Sequence, residues 1–198
     1  MRLLAFVDLH DDKKALEVLK KKAKHQEIEM VLCSGDITLF GRNQAEIVKL
    51  ISEFEVPVLM IHGNHEEAEL LKKECDKYKN MIFIHNASFR IGDYIFFGYG
   101  GGGFAQEDGV FVEMSKNFSK EIKTNDKKIV LLHGPPFGAN ADFTNNTHVG
   151  NRDYMDFIET EKIDLVICGH IHETAISDEV VDGIRIVNPG KRGVIIDL

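Results

Sequence analysis

The chain of 198 residues has few cysteines, and none of them form a C-x-x-C pair. The three, Cys33, Cys75 and Cys168, leave an odd count, and two of them fall inside apolar runs where a buried free thiol is expected. This cysteine usage predicts a reducing, cytoplasmic location. No cysteine is followed six positions later by arginine, which excludes the cysteine-based phosphatases.

Long apolar runs are also missing, so the sequence predicts no membrane-spanning segment and no membrane partner. Only the short apolar run 3–7 precedes the first acidic residue, and it is too short for the core of a signal peptide. A G-x4-G-K-[ST] motif is absent as well, which excludes a P-loop nucleotide site.

Basic residues are outnumbered by acidic ones, 24 to 32, which gives a formal net charge of −8. Phosphate contacts need clustered lysine and arginine, so a general nucleic-acid binder is not expected. The basic run at 20–24 ends a predicted helix, where the helix dipole favours cations. Nucleic acid is therefore predicted as a partner only in short or single-stranded form, and the sequence does not indicate an oligomeric state.

The order of elements indicates an α/β protein. Up to about residue 80, strand-like runs alternate with amphipathic segments, which predicts βαβ units with right-handed crossovers. The expected strands are 3–7, 30–33, 58–62, 81–84, 88–91, 94–99, 129–132, 165–168, 175–177, 184–187 and 194–197. The expected helices are 12–24, 43–54, 66–78, 113–122 and 153–161, and residues 134–152 are expected to be a long loop. No linker or repeat interrupts the pattern, so one domain over 1–198 is predicted.

Five polar clusters follow strand-like runs, in the order Asp8-Leu9-His10, Gly35-Asp36, Gly63-Asn64-His65-Glu66, His133-Gly134 and Gly169-His170-Ile171-His172. Strand ends can converge on one edge of a sheet, and residues i and i+2 of an extended segment point the same way. Asp8 and His10 are therefore expected to reach one ion together, and the same reasoning applies to His170 and His172. Gly35 is expected to let the backbone pass close to the cluster. Carboxylate, amide and imidazole ligands suit a pair of divalent transition-metal ions.

The order and spacing of these clusters resemble the calcineurin-like metallophosphoesterase superfamily. The resemblance covers nearly the whole chain, and segments 169–173 and 188–190 are most similar to small, uncharacterised prokaryotic phosphoesterases. It implies a four-layer α-β-β-α sandwich of two mixed sheets with flanking helices. It also implies a cofactor of two divalent metal ions, manganese foremost, with iron, zinc, nickel and cobalt as alternatives.

The resemblance also implies a role for each cluster. The first metal would be held by Asp8, His10, Asp36 and His172, and the second by Asp36, Asn64, His133 and His170. Asp36 would bridge the two metals, a metal-bound hydroxide would attack phosphorus, and the ions would offset the developing charge. His65 would stabilise that charge or protonate the leaving oxygen.

One motif departs from the Ser/Thr phosphatase branch of the superfamily. There the second motif reads G-D-x-x-D-R-G, and its later aspartate orients the histidine of the third motif while its arginine grips phosphate. In this chain Leu39 and Phe40 occupy those two positions. This difference counts against a protein phosphatase and leaves open what orients His65.

The predicted substrate contacts are Asn64, His148 and Arg152, the last two because long loops often cover active sites. The glycine-rich run 98–103 does not open a helix in a βαβ unit, so it predicts a flexible turn or a close backbone approach rather than a dinucleotide site.

The sequence therefore predicts a metal-dependent phosphoester hydrolase acting on a small phosphoester substrate. A phosphomonoester, a phosphodiester and a cyclic nucleotide all remain open, with a phosphodiesterase slightly favoured because the motifs lack arginine. The alternative is a non-catalytic scaffold of the same fold that holds metals and binds other proteins, as a retromer subunit does. A nuclease acting on short or single-stranded ends is a third possibility.

Overall fold

The computed structural model describes residues 1–198 as five α-helices, two 3₁₀ helices and thirteen strands. The helices are α1 (Lys13–His25), α2 (Gln44–Ile51), α3 (Ala68–Cys75), α4 (Gly109–Glu121) and α5 (Arg152–Glu161). The first seven strands are β1 (Arg2–Phe6), β2 (Met30–Cys33), β3 (Val58–Met60), β4 (Met81–Phe83), β5 (Ala87–Ile91), β6 (Tyr94–Tyr99) and β7 (Lys127–Leu132). The others are β8 (Phe143–Thr144), β9 (Thr147–His148), β10 (Leu165–Ile167), β11 (Ser177–Val181), β12 (Ile184–Asn188) and β13 (Val194–Asp197).

Two mixed sheets carry the fold. The first has the order β13-β1-β2-β3-β4, in which β13 pairs antiparallel with β1 and the other neighbours are parallel. The second has the order β11-β12-β10-β7-β6-β5, with antiparallel pairs only at its two edges. Strands β8 and β9 form a separate hairpin.

Successive side chains of a strand point to opposite faces of its sheet, and buried side chains cover both faces of each sheet. Leu3 and Ala5 of β1 belong to a buried cluster that also contains Ile129 and Leu131 of β7, so the two sheets pack face to face. Leu4 and Phe6 point the other way, into a cluster that contains Leu16, Leu19, Ile47, Ile51 and Leu71 of α1, α2 and α3. A third cluster joins the outer face of the second sheet to α4 and α5. The expected four-layer α-β-β-α sandwich is confirmed.

Side-chain caps set where the helices begin. Asp12 accepts a hydrogen bond from the backbone N–H of Ala15 at 3.0 Å and starts α1. Asp108 accepts from the N–H groups of Val110 and Phe111, both at 3.0 Å, so α4 starts at Gly109. The expected start at residue 113 is therefore wrong by one turn, because the apolar periodicity does not show the cap.

The segment 134–152 is more ordered than the sequence indicates. It contains a 3₁₀ helix, Asn140–Asp142, and the β8–β9 hairpin. The buried carboxylate of Asp142 organises both, since it accepts the N–H groups of Gly138 and Gly150 and pairs with His148. The expected strand 175–177 is also wrong, because a 3₁₀ helix, His172–Thr174, precedes β11.

The three cysteines are free and buried, which confirms the expectation for the two in apolar runs, Cys33 and Cys168. No helix combines the length and the apolar character needed to span a bilayer. The carboxyl ends of the parallel strands of both sheets lie near one another, and the polar clusters of the sequence follow those ends.

Candidate metal centre

Three groups of side chains lie together beyond the strand ends, each with its potential ligand atoms within 4.8 Å of one another. The groups are Asp8, His10 and His172; His10, Asp36 and His65; and Asp36, His133 and His170. They contain six of the seven predicted metal ligands. The seventh, Asn64, has its Oδ1 atom 2.9 Å from Nε2 of His133.

Asp36 links the groups. Its Oδ2 atom is 3.4 Å from Nε2 of His133 and 3.9 Å from Nε2 of both His10 and His65. Its Oδ1 atom accepts the backbone N–H of His65 at 2.9 Å, which fixes the carboxylate plane. Because a single oxygen faces imidazoles of two groups, Asp36 has the position that a shared ligand requires.

Backbone carbonyls set the tautomers of two of the imidazoles. Nδ1 of His133 is 2.9 Å from the carbonyl oxygen of Ser34, and Nδ1 of His10 is 3.3 Å from that of Thr38. A carbonyl oxygen only accepts, so each Nδ1 carries a proton, and in the neutral ring each Nε2 presents a lone pair to the centre. Histidines that bind metals usually donate their other ring N–H in this way.

The residues fit a bound cation. Nε2 of His10 and Nε2 of His172 are 3.0 Å apart. Two nitrogens at about 2.0–2.1 Å from one tetrahedral, zinc-like ion would be separated by about 3.3 Å, close to this distance. Two further atoms, Oδ1 of Asp8 and Nε2 of His170, are buried without a hydrogen-bond partner. Buried polar atoms are normally satisfied, and two bound metal ions would satisfy one each.

Electrostatics favour the metal-binding form at Asp36 and His170 and oppose it at Asp8 and His133. At His133 burial lowers the pKa of the ring, but the hydrogen bond and charge of Asp36 outweigh burial and raise that pKa. Burial alone would raise the pKa of Asp36, but the hydrogen bond and charge of His133 lower that pKa to about 2, so Asp36 is a carboxylate. Burial, reinforced by neighbouring His133, lowers the pKa of His170 to about 4, so its ring is neutral. Burial raises the pKa of Asp8, and a cation beside its carboxylate would oppose that shift.

The backbone at the ligands is not extended. Asp8, His10, Asp36 and His170 have φ angles of 55°, 46°, 49° and 68°. The expectation that residues i and i+2 lie in an extended segment is therefore wrong. Strand β1 ends at Phe6, and turns with positive φ angles orient the ligand side chains. Asp8 and His10 still share a group, whereas His170 and His172 belong to different groups. Non-glycine residues in this region store strain, which concentrates at functional sites.

Two glycines make room for the Asp36 turn. A Cβ atom on Gly35 would lie 2.3 Å from the backbone nitrogen of Gly63, and one on Gly63 would lie 1.9 Å from Oδ1 of Asp36. The expected close backbone approach at Gly35 is confirmed. The glycine-rich run 98–103 also approaches the centre, since a Cβ atom on Gly103 would lie 3.8 Å from Cε1 of His170.

Glu66 holds two neighbouring turns together, the one after β2 and the one after β3, and this role was not predicted from the sequence. Its buried carboxylate accepts four hydrogen bonds, from the N–H groups of Asp36, Gly63 and Thr38 and from the hydroxyl of Thr38, at 2.8–3.0 Å. Its position next to His65 in the third cluster was the available signal. Glu66 thus ties the turn after β2 to the turn after β3.

His65 is oriented by Phe40. The backbone N–H of Phe40 donates to Nδ1 of His65 at 3.4 Å, and the two rings stack with centroids 4.2 Å apart and planes 14° apart. Because Nδ1 accepts, the proton of the neutral ring lies on Nε2, the atom that faces Asp36. Phe40 therefore holds the His65 ring, as a hydrogen-bond donor to Nδ1 and by stacking.

A cavity of about 580 Å³ opens beside the first group of ligands, with Asp8, His10, His172 and Lys191 among its lining residues. Nζ of Lys191 lies 2.8 Å from Oδ2 of Asp12. This lysine was not among the residues predicted from the sequence, although it directly follows the Asn188-Pro189-Gly190 turn. It brings a cation on a flexible side chain to the cavity wall.

His148 and Arg152 lie away from the three groups. His148 pairs with Asp142, and the guanidinium carbon of Arg152 lies 3.7 Å above the ring of Phe137. Both residues help to order segment 134–152. Contact between either residue and substrate stays a prediction, as does the substrate contact of Asn64.

Comparisons with known proteins agree with this geometry. The calcineurin-like phosphoesterase family model matches residues 1–174. An uncharacterised protein of Methanocaldococcus jannaschii, MJ1162, is 28% identical over 99% of this chain and 91% of its own length. A probable glycerophosphodiester phosphodiesterase, GpdQ of Arcobacter nitrofigilis, is 30% identical over 74% of this chain, which spans 58% of that relative. The crystal structure of TT1561 of Thermus thermophilus superposes with a TM-score of 0.77 at 19% identity, covering 96% of this chain and 88% of that one. The chain belongs to the calcineurin-like phosphoesterase family.

Proposed function

We propose that this protein is a phosphodiesterase that works with two divalent metal ions. The observation that carries the proposal is the shared position of Asp36, whose Oδ2 atom faces His10 and His133 from two groups of ligands. Metal-dependent phosphoester hydrolysis is the activity of the family, and one relative is described as a phosphodiesterase.

The proposed ligands of the first ion are Asp8, His10, Asp36 and His172, and those of the second are Asp36, Asn64, His133 and His170. When bound, such a pair of ions supplies an activated water and polarises the phosphoryl oxygens. Imidazole and oxygen ligands accommodate manganese, the proposed native metal, as well as iron, zinc, nickel and cobalt. Metal analysis of protein purified without added metal would identify the native pair.

The protein's own groups have separate tasks in this proposal. His65 presents its Nε2–H towards the centre, where it can donate a hydrogen bond to the charge that develops on the leaving oxygen. Lys191 is the cation that the cavity offers to the phosphate. A single lysine without an arginine clamp suits a diester, because a diester carries less charge than a monoester.

The cellular setting follows from the thiols. The three cysteines are buried and free, and burial raises the pKa of Cys75 to about 12, which keeps its thiol protonated and unreactive. We infer from these thiols a reducing, cytoplasmic compartment.

A substrate panel tests the proposed function. The protein, reconstituted with Mn²⁺, is assayed with bis-p-nitrophenyl phosphate, p-nitrophenyl phosphate, a glycerophosphodiester and 2′,3′- and 3′,5′-cyclic nucleotides. We expect the diesters to be hydrolysed with a higher kcat/KM than the monoester. Turnover of the monoester alone would make the protein a phosphomonoesterase. No turnover of any ester, with both metals bound, would support the scaffold alternative.

A further inference from the structure

Two phenylalanine rings lie exposed beside the metal centre. Phe40 is 76% exposed and Phe104 is 66% exposed. Phe40 stacks on His65, and Phe104 meets His170 edge-on with the ring centroids 4.4 Å apart. Both histidines belong to groups that contain Asp36, so each phenylalanine contacts an imidazole next to the same carboxylate.

The loop holds Phe40 in this exposed position against its conformational preference. Its φ angle is 54°, which is rare for a bulky side chain. Thr38 fixes the loop, since its hydroxyl donates to buried Glu66 at 2.8 Å and accepts the backbone N–H of Gly41 at 3.1 Å. One face of the Phe40 ring covers His65. The rest of the ring is exposed.

Resting on the proposed phosphodiesterase function, we propose that Phe40 and Phe104 bind the alcohol group of the ester, and that this alcohol carries a flat, neutral aromatic ring, as a nucleoside does. Phenylalanine rings stack readily on nucleobases, and such stacking depends little on which base is present. A cationic alcohol such as choline fits this place less well, because the neighbouring imidazoles hold divalent cations in the proposed mechanism.

Binding of two product-like phosphates tests the proposal without depending on turnover. Adenosine 5′-monophosphate and ribose 5-phosphate share the sugar and the phosphate and differ only in the base. Their dissociation constants for the Mn²⁺-loaded protein are measured by calorimetry. We expect adenosine 5′-monophosphate to bind about tenfold or more tightly than ribose 5-phosphate, as stacking of one base provides.

Variants assign this preference to the two rings. Phe40→Ala and Phe104→Ala are each expected to reduce this preference, the ratio of the two dissociation constants, several-fold. The ratio is taken within one variant, so a change in phosphate binding that affects both ligands equally cancels. Phe40→Tyr and Phe104→Tyr keep a ring and are expected to keep the preference. Ile91→Ala is the control, because Ile91 is also exposed but lies at the opposite end of the β5–β6 hairpin from the centre.

Equal affinities of the wild-type protein for the two phosphates, or a preference that survives both alanine variants, would overturn the proposal. These results are separate from the substrate panel. If diesters are hydrolysed but the two phosphates bind with equal affinity, only the proposed aromatic subsite is wrong. If adenosine 5′-monophosphate is preferred but no ester is hydrolysed, only the proposed hydrolase function is wrong.

Discussion

At Asp36, one carboxylate oxygen faces imidazoles from three separate segments of the chain, those of His10, His65 and His133. Each side chain is held by a specific contact: His10 and His133 by backbone carbonyls, and His65 by Phe40. Preorganisation of this kind lets a site act without rearranging during the reaction. At the scale of single residues, the centre depends on the groups that aim its ligands.

Replacement of His65 tests the proposed hydrogen-bond donor. His65→Ala is expected to lower kcat for a phosphodiester with an alkyl leaving group by about 10²–10³-fold, the usual cost of removing one donor to developing charge. Its metal content is expected to match that of the wild-type protein, since the seven proposed ligands remain. His25→Ala, at the exposed end of α1, is the matched control and should be fully active. Full turnover by the His65→Ala protein would remove the assignment.

Replacement of Glu66 tests the carboxylate that joins the two turns. In Glu66→Gln an amide group replaces one oxygen and faces backbone N–H donors, which leaves buried donors without an acceptor. We expect the free energy of unfolding in urea to fall by about 3 kcal/mol. Glu67→Gln is the control, because Glu67 is exposed and its side chain caps nothing. An unchanged unfolding curve for Glu66→Gln would show that the four hydrogen bonds are dispensable.

At the scale of elements, short turns after parallel strands carry the chemistry. The strands are buried and regular. The turns that follow them contain glycines and residues with positive φ angles, and these bring polar groups together. The turn after β2 and the turn after β3 pack so closely that a Cβ atom fits at neither Gly35 nor Gly63. The position of Asp36 therefore depends on the absence of a side chain at Gly63, in a different turn of the chain.

Substitution of Gly63 tests this packing. Gly63→Ala would place a Cβ atom 1.9 Å from Oδ1 of Asp36, so the carboxylate must move. We expect kcat/KM to fall by about 10²-fold, as misplacement of a catalytic group by about 1 Å can cause. Gly109→Ala is the control, because its Cβ atom meets open space at the start of α4. Equal metal content and activity in the two variants would contradict the packing argument.

At the scale of the whole molecule, the centre joins the two sheets. Asp8, Asp36 and Asn64 follow strands of the first sheet, whereas His133 and His170 follow strands of the second. The polar ends of both sheets meet at this edge, and elsewhere the sheets are joined by an apolar interface. Bound metal ions would therefore stabilise the folded state, because the ligands lie together only in that state.

Chelation tests this coupling. Removing metal with EDTA is expected to lower the melting temperature by about 5–10 °C, because metal at 100 times its dissociation constant stabilises by about 2.7 kcal/mol. Re-addition of Mn²⁺ should restore it. Asp36→Asn, which lacks the shared carboxylate, should show a much smaller response. If the melting temperature of the wild-type protein changes with neither EDTA nor Mn²⁺, a metal link between the sheets is excluded.

The amino-acid sequence by itself determined the class of fold and the identities of the clustered polar residues. Strand runs and helical periodicities are local patterns, and polar groups such as those at Asp8 and His133 directly follow such runs. The order of the clusters along the chain therefore carried the resemblance. The glycine before Asp36 indicated a close backbone approach for an equally local reason.

Only the tertiary structure decided how these parts meet. The pairing of β13 with β1, the four hydrogen bonds to Glu66 and the exposed ring of Phe40 on His65 all join segments distant in sequence. Local patterns hold no information about such neighbours, because a strand or a turn of given sequence can pack beside many others. The left-handed backbone at Asp8 and His10 was hidden for the same reason, since the surrounding contacts impose it against local preference.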